Sequence, residues 1–319
     1  MSLFRQALPQ LMGDLFLTDG GIETTLMFLE GFELPHFAAF DLLRHKDGSA
    51  ALHKYFRSYA GLAQRFSTGL ILESATWRAS ADWGAKLGYS AKELADANRR
   101  SIDLLAEIRD EFKGDPNKVV ISGCIGPWGD GYNPVDTMSA EDAEAYHRKQ
   151  IEVLEDTAAD MIAAITMNYV EEAVGIARAA KRAGMPVVIS FTVETDGRLP
   201  TRQALRAAIE QVDSATSRYP AYYMLNCAHP THFEPVLTQG EAWTRRIRGV
   251  RANASRKSHA ELNESAELDT GNPVEFGMQH AQLKRRLSQL NVMGGCCGTD
   301  HRHVEQIALA CLPLFRTAA

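Results

Sequence analysis

The sequence predicts a single-domain (β/α)8 barrel, a TIM barrel, over residues 1–319. Three observations carry this expectation. Short apolar runs alternate eight times with amphipathic helix patterns, as strand-helix units of a parallel sheet do. The apolar runs lead into polar or glycine-rich loops, the composition expected where strands open onto a shared mouth. The length of 319 residues is large for one sandwich and ordinary for one such barrel. A doubly wound sheet is the alternative that the same alternation allows.

In chain order, Leu15 to Thr18 leads into Asp19-Gly20-Gly21, and a helix pattern covers 51–65. Leu70-Ile71-Leu72 ends at Glu73-Ser74, before a loop bearing Trp77, Arg78 and Trp83 and a helix over 91–112. Val119 to Ser122 runs into Gly123-Cys124-Ile125-Gly126-Pro127, and the next helix, 140–158, has Ser139 as its cap. Met161 to Thr166 is the fourth strand, and its helix over 171–183 stops at Gly184. The fifth unit pairs Val187 to Phe191 with 201–214, and the sixth pairs Tyr222 to Asn226 with a short helix over 230–237. Ile247 to Ala252 with 273–289 makes the seventh, and Val292-Met293 with 301–312 the eighth. The polar connection over 255–272 reads as a lid over the mouth or a mobile loop.

Composition excludes several classes. A formal net charge of -6, without a long basic run, speaks against nucleic acid as a partner. No run of 18 apolar residues exists, so no membrane partner is expected, and the first residues lack the apolar core of a signal peptide. A cytoplasmic protein acting on small molecules is the expectation. Five cysteines, an odd number, favour metal binding or chemistry over a disulfide framework in that compartment.

The chemistry concentrates in Val292-Met293-Gly294-Gly295-Cys296-Cys297-Gly298-Thr299-Asp300. The glycines remove side-chain bulk and permit positive φ, so both sulfurs can be bent toward one point. Cys227 stands in a similar place, at the end of the sixth strand. If the sixth and eighth strands are neighbours, three thiolates converge, and three sulfurs with an open fourth position describe a catalytic zinc site. Two reduced cysteines or a vicinal disulfide are the plainer alternatives. Cys124 and Cys311 read as packing residues. His229, His232, His301 and His303 lie near the cysteines and read as helix-start or surface residues before ligands.

The motifs Asp19-Gly20-Gly21, Asn226-Cys227 and Gly294-Gly295-Cys296-Cys297-Gly298, in this order over essentially the whole chain, resemble the homocysteine S-methyltransferase family. That family includes betaine-homocysteine methyltransferase and the homocysteine-binding module of cobalamin-dependent methionine synthase. The resemblance implies a (β/α)8 barrel with zinc on Cys227, Cys296 and Cys297, and with Asp19, Gly20 and Gly21 holding the amino-acid acceptor. It also exposes a departure. Where the family carries a glutamate for the acceptor's ammonium, this chain has Ile165, leaving Glu73, Glu194 or Glu23 to replace it, or a different acceptor. Glu73, Asn226 and Asn253 follow strands and join the list of expected substrate contacts.

A free thiol, with a pKa of about 8.5, is a modest nucleophile at neutral pH, and zinc deprotonates it. The resemblance implies methyl transfer to homocysteine, giving methionine, and an electron-rich thiolate suits a sulfonium donor such as S-methylmethionine or S-adenosylmethionine. A betaine-type donor, another thiol acceptor and a non-catalytic zinc- or thiol-binding barrel are the alternatives. Trp77, Trp83, Trp128 and Tyr132 lie on loops after strands and are candidates for an aromatic lining around a cationic donor.

Overall fold

Eight parallel strands close into a barrel in the order in which they occur in the chain. The computed structural model describes residues 1–115, 118–265 and 267–315. The strands are β1 (Phe16–Leu17), β2 (Gly69–Glu73), β3 (Val119–Ile125), β4 (Met161–Met167), β5 (Val187–Phe191), β6 (Tyr222–Asn226), β7 (Ile247–Ala252) and β8 (Val292–Gly295). Phe16 closes the ring, opposite Gly69 on one side and Val292 on the other. The helices that return the chain are α1 (Lys46–Phe66), α2 (Ala91–Glu111), α3 (Ala140–Glu155), α4 (Val170–Arg182), α5 (Leu205–Thr216), α6 (Pro230–Phe233), α7 (Pro273–Arg286) and α8 (His301–Cys311).

Period-two alternation sorts each strand between two cores. On β4, Met161, Ala163 and Ile165 fill the barrel interior with Phe16, Ile71, Val120, Cys124 and Met224. The intervening Ile162 and Ala164 pack outward against the helical layer. Strands buried on both faces need apolar residues at every position, which is why their sequence runs are continuous. Asp160, fully buried, ties the closed end. Its carboxylate accepts from the backbone N–H groups of Leu3, Phe4 and Ile121 and from Arg109. The opposite end is left for chemistry.

Local signals set most helix starts. Ser90 and Glu93 form a reciprocal cap on α2, Ser139 caps α3, and Asp300 caps α8. Two boundaries differ from expectation. α1 begins at Lys46, several residues before 51. α5 begins at Leu205 and not near 201, because Arg198 bridges Ala204 and Arg202 takes a left-handed turn between them. Among the described residues, no helix is long and apolar enough to cross a membrane.

Candidate metal centre

Cys227, Cys296 and Cys297 come together at the open mouth, with their sulfur atoms all within 4.8 Å of one another. β6 and β8, whose adjacency was the condition set for convergence, are not paired neighbours, since β7 lies between them. The sulfurs meet because every strand of the barrel opens on this side. On β6, Tyr222 and Met224 point inward, so continued alternation would turn Cys227 away. A left-handed backbone at Cys227, with φ of 53°, breaks the pattern. After β8, Gly298 takes φ of 78°, and a Cβ on Gly294 or Gly295 would collide with Thr18 or Thr299. The Cys296 N–H donates to Ala252 O at 2.8 Å, and Cys297 O accepts from the Ala254 N–H at 3.1 Å, fastening the pair to β7.

The donor set fits a soft tetrahedral ion. Zn–S bonds of about 2.3 Å place sulfurs about 3.8 Å apart, within the observed spread. Of the three thiols, Cys227 is the one held toward the thiolate. Hydrogen bonds from Cys296 and Cys297, and then from Tyr132, carry its pKa well below the ordinary range, and the same charge raises those of Cys296 and Cys297.

Second-layer residues hold Cys227 from three directions. Tyr132 Oη donates to its sulfur at 3.3 Å. Its carbonyl accepts from Asn253 Nδ2 at 2.9 Å and meets His259 Nε2 at 2.5 Å. Asn226, the residue before it, is fully buried. Its Oδ1 accepts from Thr166 N at 2.9 Å and Ser190 Oγ at 2.6 Å, and its Nδ2 donates to Thr166 Oγ1 at 2.8 Å. Thr166 sits at a register irregularity of β4 with φ of 69°, an unusual backbone for a β-branched residue.

A family model described as homocysteine S-methyltransferase matches residues 16–311. The chain belongs to the homocysteine S-methyltransferase family. It is a methyltransferase. Among its relatives, homocysteine S-methyltransferase 3 of Arabidopsis thaliana is 23% identical over 263 residues, 75% of each chain. Selenocysteine Se-methyltransferase of Brassica oleracea var. italica is 24% identical, over 74% of this chain and 73% of that one. Among solved structures, the metallated form of the homocysteine methyltransferase MmuM from Escherichia coli superposes with a TM-score of 0.70 at 17% identity, covering 93% of this chain and 96% of that one. The fold is therefore shared.

Within this family frame, the remaining expected site residues fall into two groups. Asp19 belongs to a buried charge network that the sequence reading missed. Arg251 Nη2 donates to Asp19 Oδ1 at 2.5 Å, and Tyr55 Oη donates to Oδ2 at 2.9 Å. The Gly20 carbonyl also accepts from Tyr55 and Arg251, while the Gly21 N–H donates to Thr299 O. Glu73 lies 4.0 Å from Arg251, and among the described residues neither carboxylate oxygen has a hydrogen-bond partner. Burial pushes its pKa up to about 7 against the pull of Arg251. Arg251 could not be found by motif, since its partner Asp19 is 232 positions away.

The candidates for the acceptor's ammonium also separate. Glu194 is engaged by His259 at 3.3 Å. Glu23 is half-buried, and burial, reinforced by the Asp19 and Cys227 charges, lifts its carboxyl to about 7. Ile165 is buried in the interior cluster and puts no acid on β4. His229 caps α6 through the Thr231 N–H, and His303 caps α8, so neither joins the cysteines. Cys124 and Cys311 are buried apart from the cluster. Of the expected aromatic lining, Trp77 and Trp83 already carry the protein's own cation, with the Arg78 guanidinium 4.0 Å and 3.9 Å from their ring centroids. Tyr132 packs on His259 at 4.4 Å.

The described residues of the connection over 255–272 pack against the site. The connection contains a short helix, His259–Asn263, capped by Ser258 and Glu261, and it delivers His259 to the Cys227 carbonyl. Ser255 donates to Asp269 at 2.6 Å.

Proposed function

We propose that this chain is a zinc-dependent S-methyltransferase that moves a methyl group from a sulfonium donor, S-methylmethionine or S-adenosylmethionine, to homocysteine, forming methionine. The observation that carries this reading is the convergence of Cys227, Cys296 and Cys297 at the mouth of a barrel of this family. These three residues would hold the zinc, their soft sulfurs suiting that ion. Zinc supplies deprotonation of a thiol at neutral pH. In the transfer, a lone pair on the acceptor sulfur forms the new S–C bond as the donor's S–C bond breaks, and the donor leaves as a neutral thioether. A site rich in thiols that must stay reduced fits a cytoplasmic location.

The chain's own residues aim and enclose the acceptor. We assign Asp19, Gly20, Gly21, Glu73, Asn226 and Asn253 to its pocket. Asp19 and Gly20 act through the rigid network with Arg251 and Tyr55. Asn226 acts through Thr166 and the turn at Cys227. Asn253 holds the Cys227 carbonyl and keeps a buried, unpaired Oδ1 free to accept a hydrogen bond. Glu23, within electrostatic reach of Cys227, replaces the missing acid of β4 for an ammonium group.

A second reading keeps the chemistry and changes a substrate, with a betaine-type donor or another thiol. Ile165 favours it on the acceptor side, and the selenocysteine enzyme named above indicates that acceptors vary among relatives. Methionine formation from homocysteine, followed in parallel with S-methylmethionine, S-adenosylmethionine and betaine, tests the proposal. Turnover with one sulfonium donor and none with betaine is expected. Turnover with betaine alone overturns the donor, and none with any donor overturns the acceptor.

A further inference from the structure

Arg78 is a charged residue at the mouth that forms no ion pair with the network described above, Glu23 lying only within its electrostatic reach. The residue is only 8% exposed, and its guanidinium lies against two indoles, those of Trp77 and Trp83. Nη1 donates to the Gly129 carbonyl at 2.9 Å, and among the described residues Nε is buried without a hydrogen-bond partner and Nη2 donates to none. Among the described residues no carboxylate forms an ion pair with it. Asp82 is engaged by Ser80 and Tyr146. Asp130 accepts from the backbone N–H groups of Tyr132 and Asn133. A buried guanidinium with unused donors is costly unless an anion completes it.

Its position joins it to the reaction site. The Trp77 indole donates to the Ile165 carbonyl at 3.2 Å, so the stacked guanidinium is held at the mouth end of β4, where Ile165 offers no competing acid. Tyr132, within electrostatic reach of Arg78, touches the Cys227 sulfur. Contact with both indoles restrains the guanidinium, and a planar fork with free donors matches a carboxylate.

We propose that Arg78, held against Trp77 and Trp83, is a specificity-determining residue that binds a carboxylate of the substrate whose sulfur reacts beside Cys227. The identity of the substrate rests on the methyl-transfer reading, whereas the carboxylate preference does not. Both a thiol acceptor and a sulfonium donor can carry this group.

Calorimetric binding to the intact, reduced protein separates the two sources. The thiol arm compares homocysteine and 4-mercaptobutyrate with the neutral 4-mercaptobutyramide. The donor arm compares S-methylmethionine with its neutralised carboxamide, S-methylmethioninamide. In at least one arm the wild type should prefer the carboxylate ligands by about tenfold or more, the range of a hydrogen bond to a charged group. Arg78→Gln should abolish that preference while leaving the carboxylate-free ligand within about twofold, and Arg78→Lys should recover part of it. The arm that responds identifies the source. No carboxylate preference in either arm of the wild type, a measurement independent of whether a variant folds, overturns the proposal. So does an equal loss for both kinds of ligand in Arg78→Gln. If no thiol is methylated but the Arg78-dependent preference persists, the methyl-transfer reading falls and this inference stands.

Discussion

Asn226 illustrates how a residue can be legible in sequence while its role is not. The Asn-Cys pair at a strand end marked the site, and the expectation was a contact with substrate. In the structure its side chain is engaged by Thr166 and Ser190, and it holds Thr166 in a left-handed backbone beside the cysteines. Nothing local in Thr166 announces that conformation, because the bond that enforces it comes from a strand 60 positions away. Removing the clamp strands a buried N–H and two hydroxyls, so Asn226→Ala should cost about 1–3 kcal/mol in urea unfolding. Bound metal should then be lost faster to a chelator. An unfolding free energy within about 0.5 kcal/mol of wild type, with unchanged metal release, would contradict the clamp.

At the scale of elements, the connection over 255–272 was read as lid or mobile loop, and the structure gives it a capped helix that seats His259 on the Cys227 carbonyl. The capping signal Ser258-His259-Ala260-Glu261 was present in the sequence. Five residues are too few to form a stable helix alone, so docking against the mouth decides the matter. Burial works against a charged His259, but Glu194 and the Cys227 carbonyl outweigh it and raise its pKa. Ser258→Ala removes a cap worth about 1 kcal/mol. Amide exchange across 258–264 should quicken and the KM for the acceptor should rise, with Tm nearly unchanged because the segment opens locally. A fall in Tm without faster exchange in this segment would contradict the lid assignment.

At the scale of the whole molecule, the eight-fold alternation was legible because each doubly buried strand needs an uninterrupted apolar run. The three cysteines were legible because they follow strands, and because Cys296 and Cys297 carry glycines on both sides. What the chain could not display was contact across the ring. β7 separates β6 from β8, and Arg251 reaches from it to Asp19. Arg78 was noted only as part of a loop, since its stacking and its unmet donors exist only once Trp77 and Trp83 close on it. All of these features surround one centre. The metal content of the purified, reduced protein, measured for wild type beside Cys227→Ser and Cys124→Ser, tests that centre most directly. About one zinc per chain is expected in wild type and Cys124→Ser, with most of it lost in Cys227→Ser. Zinc retained in full by Cys227→Ser, or absent from the wild type, would contradict it.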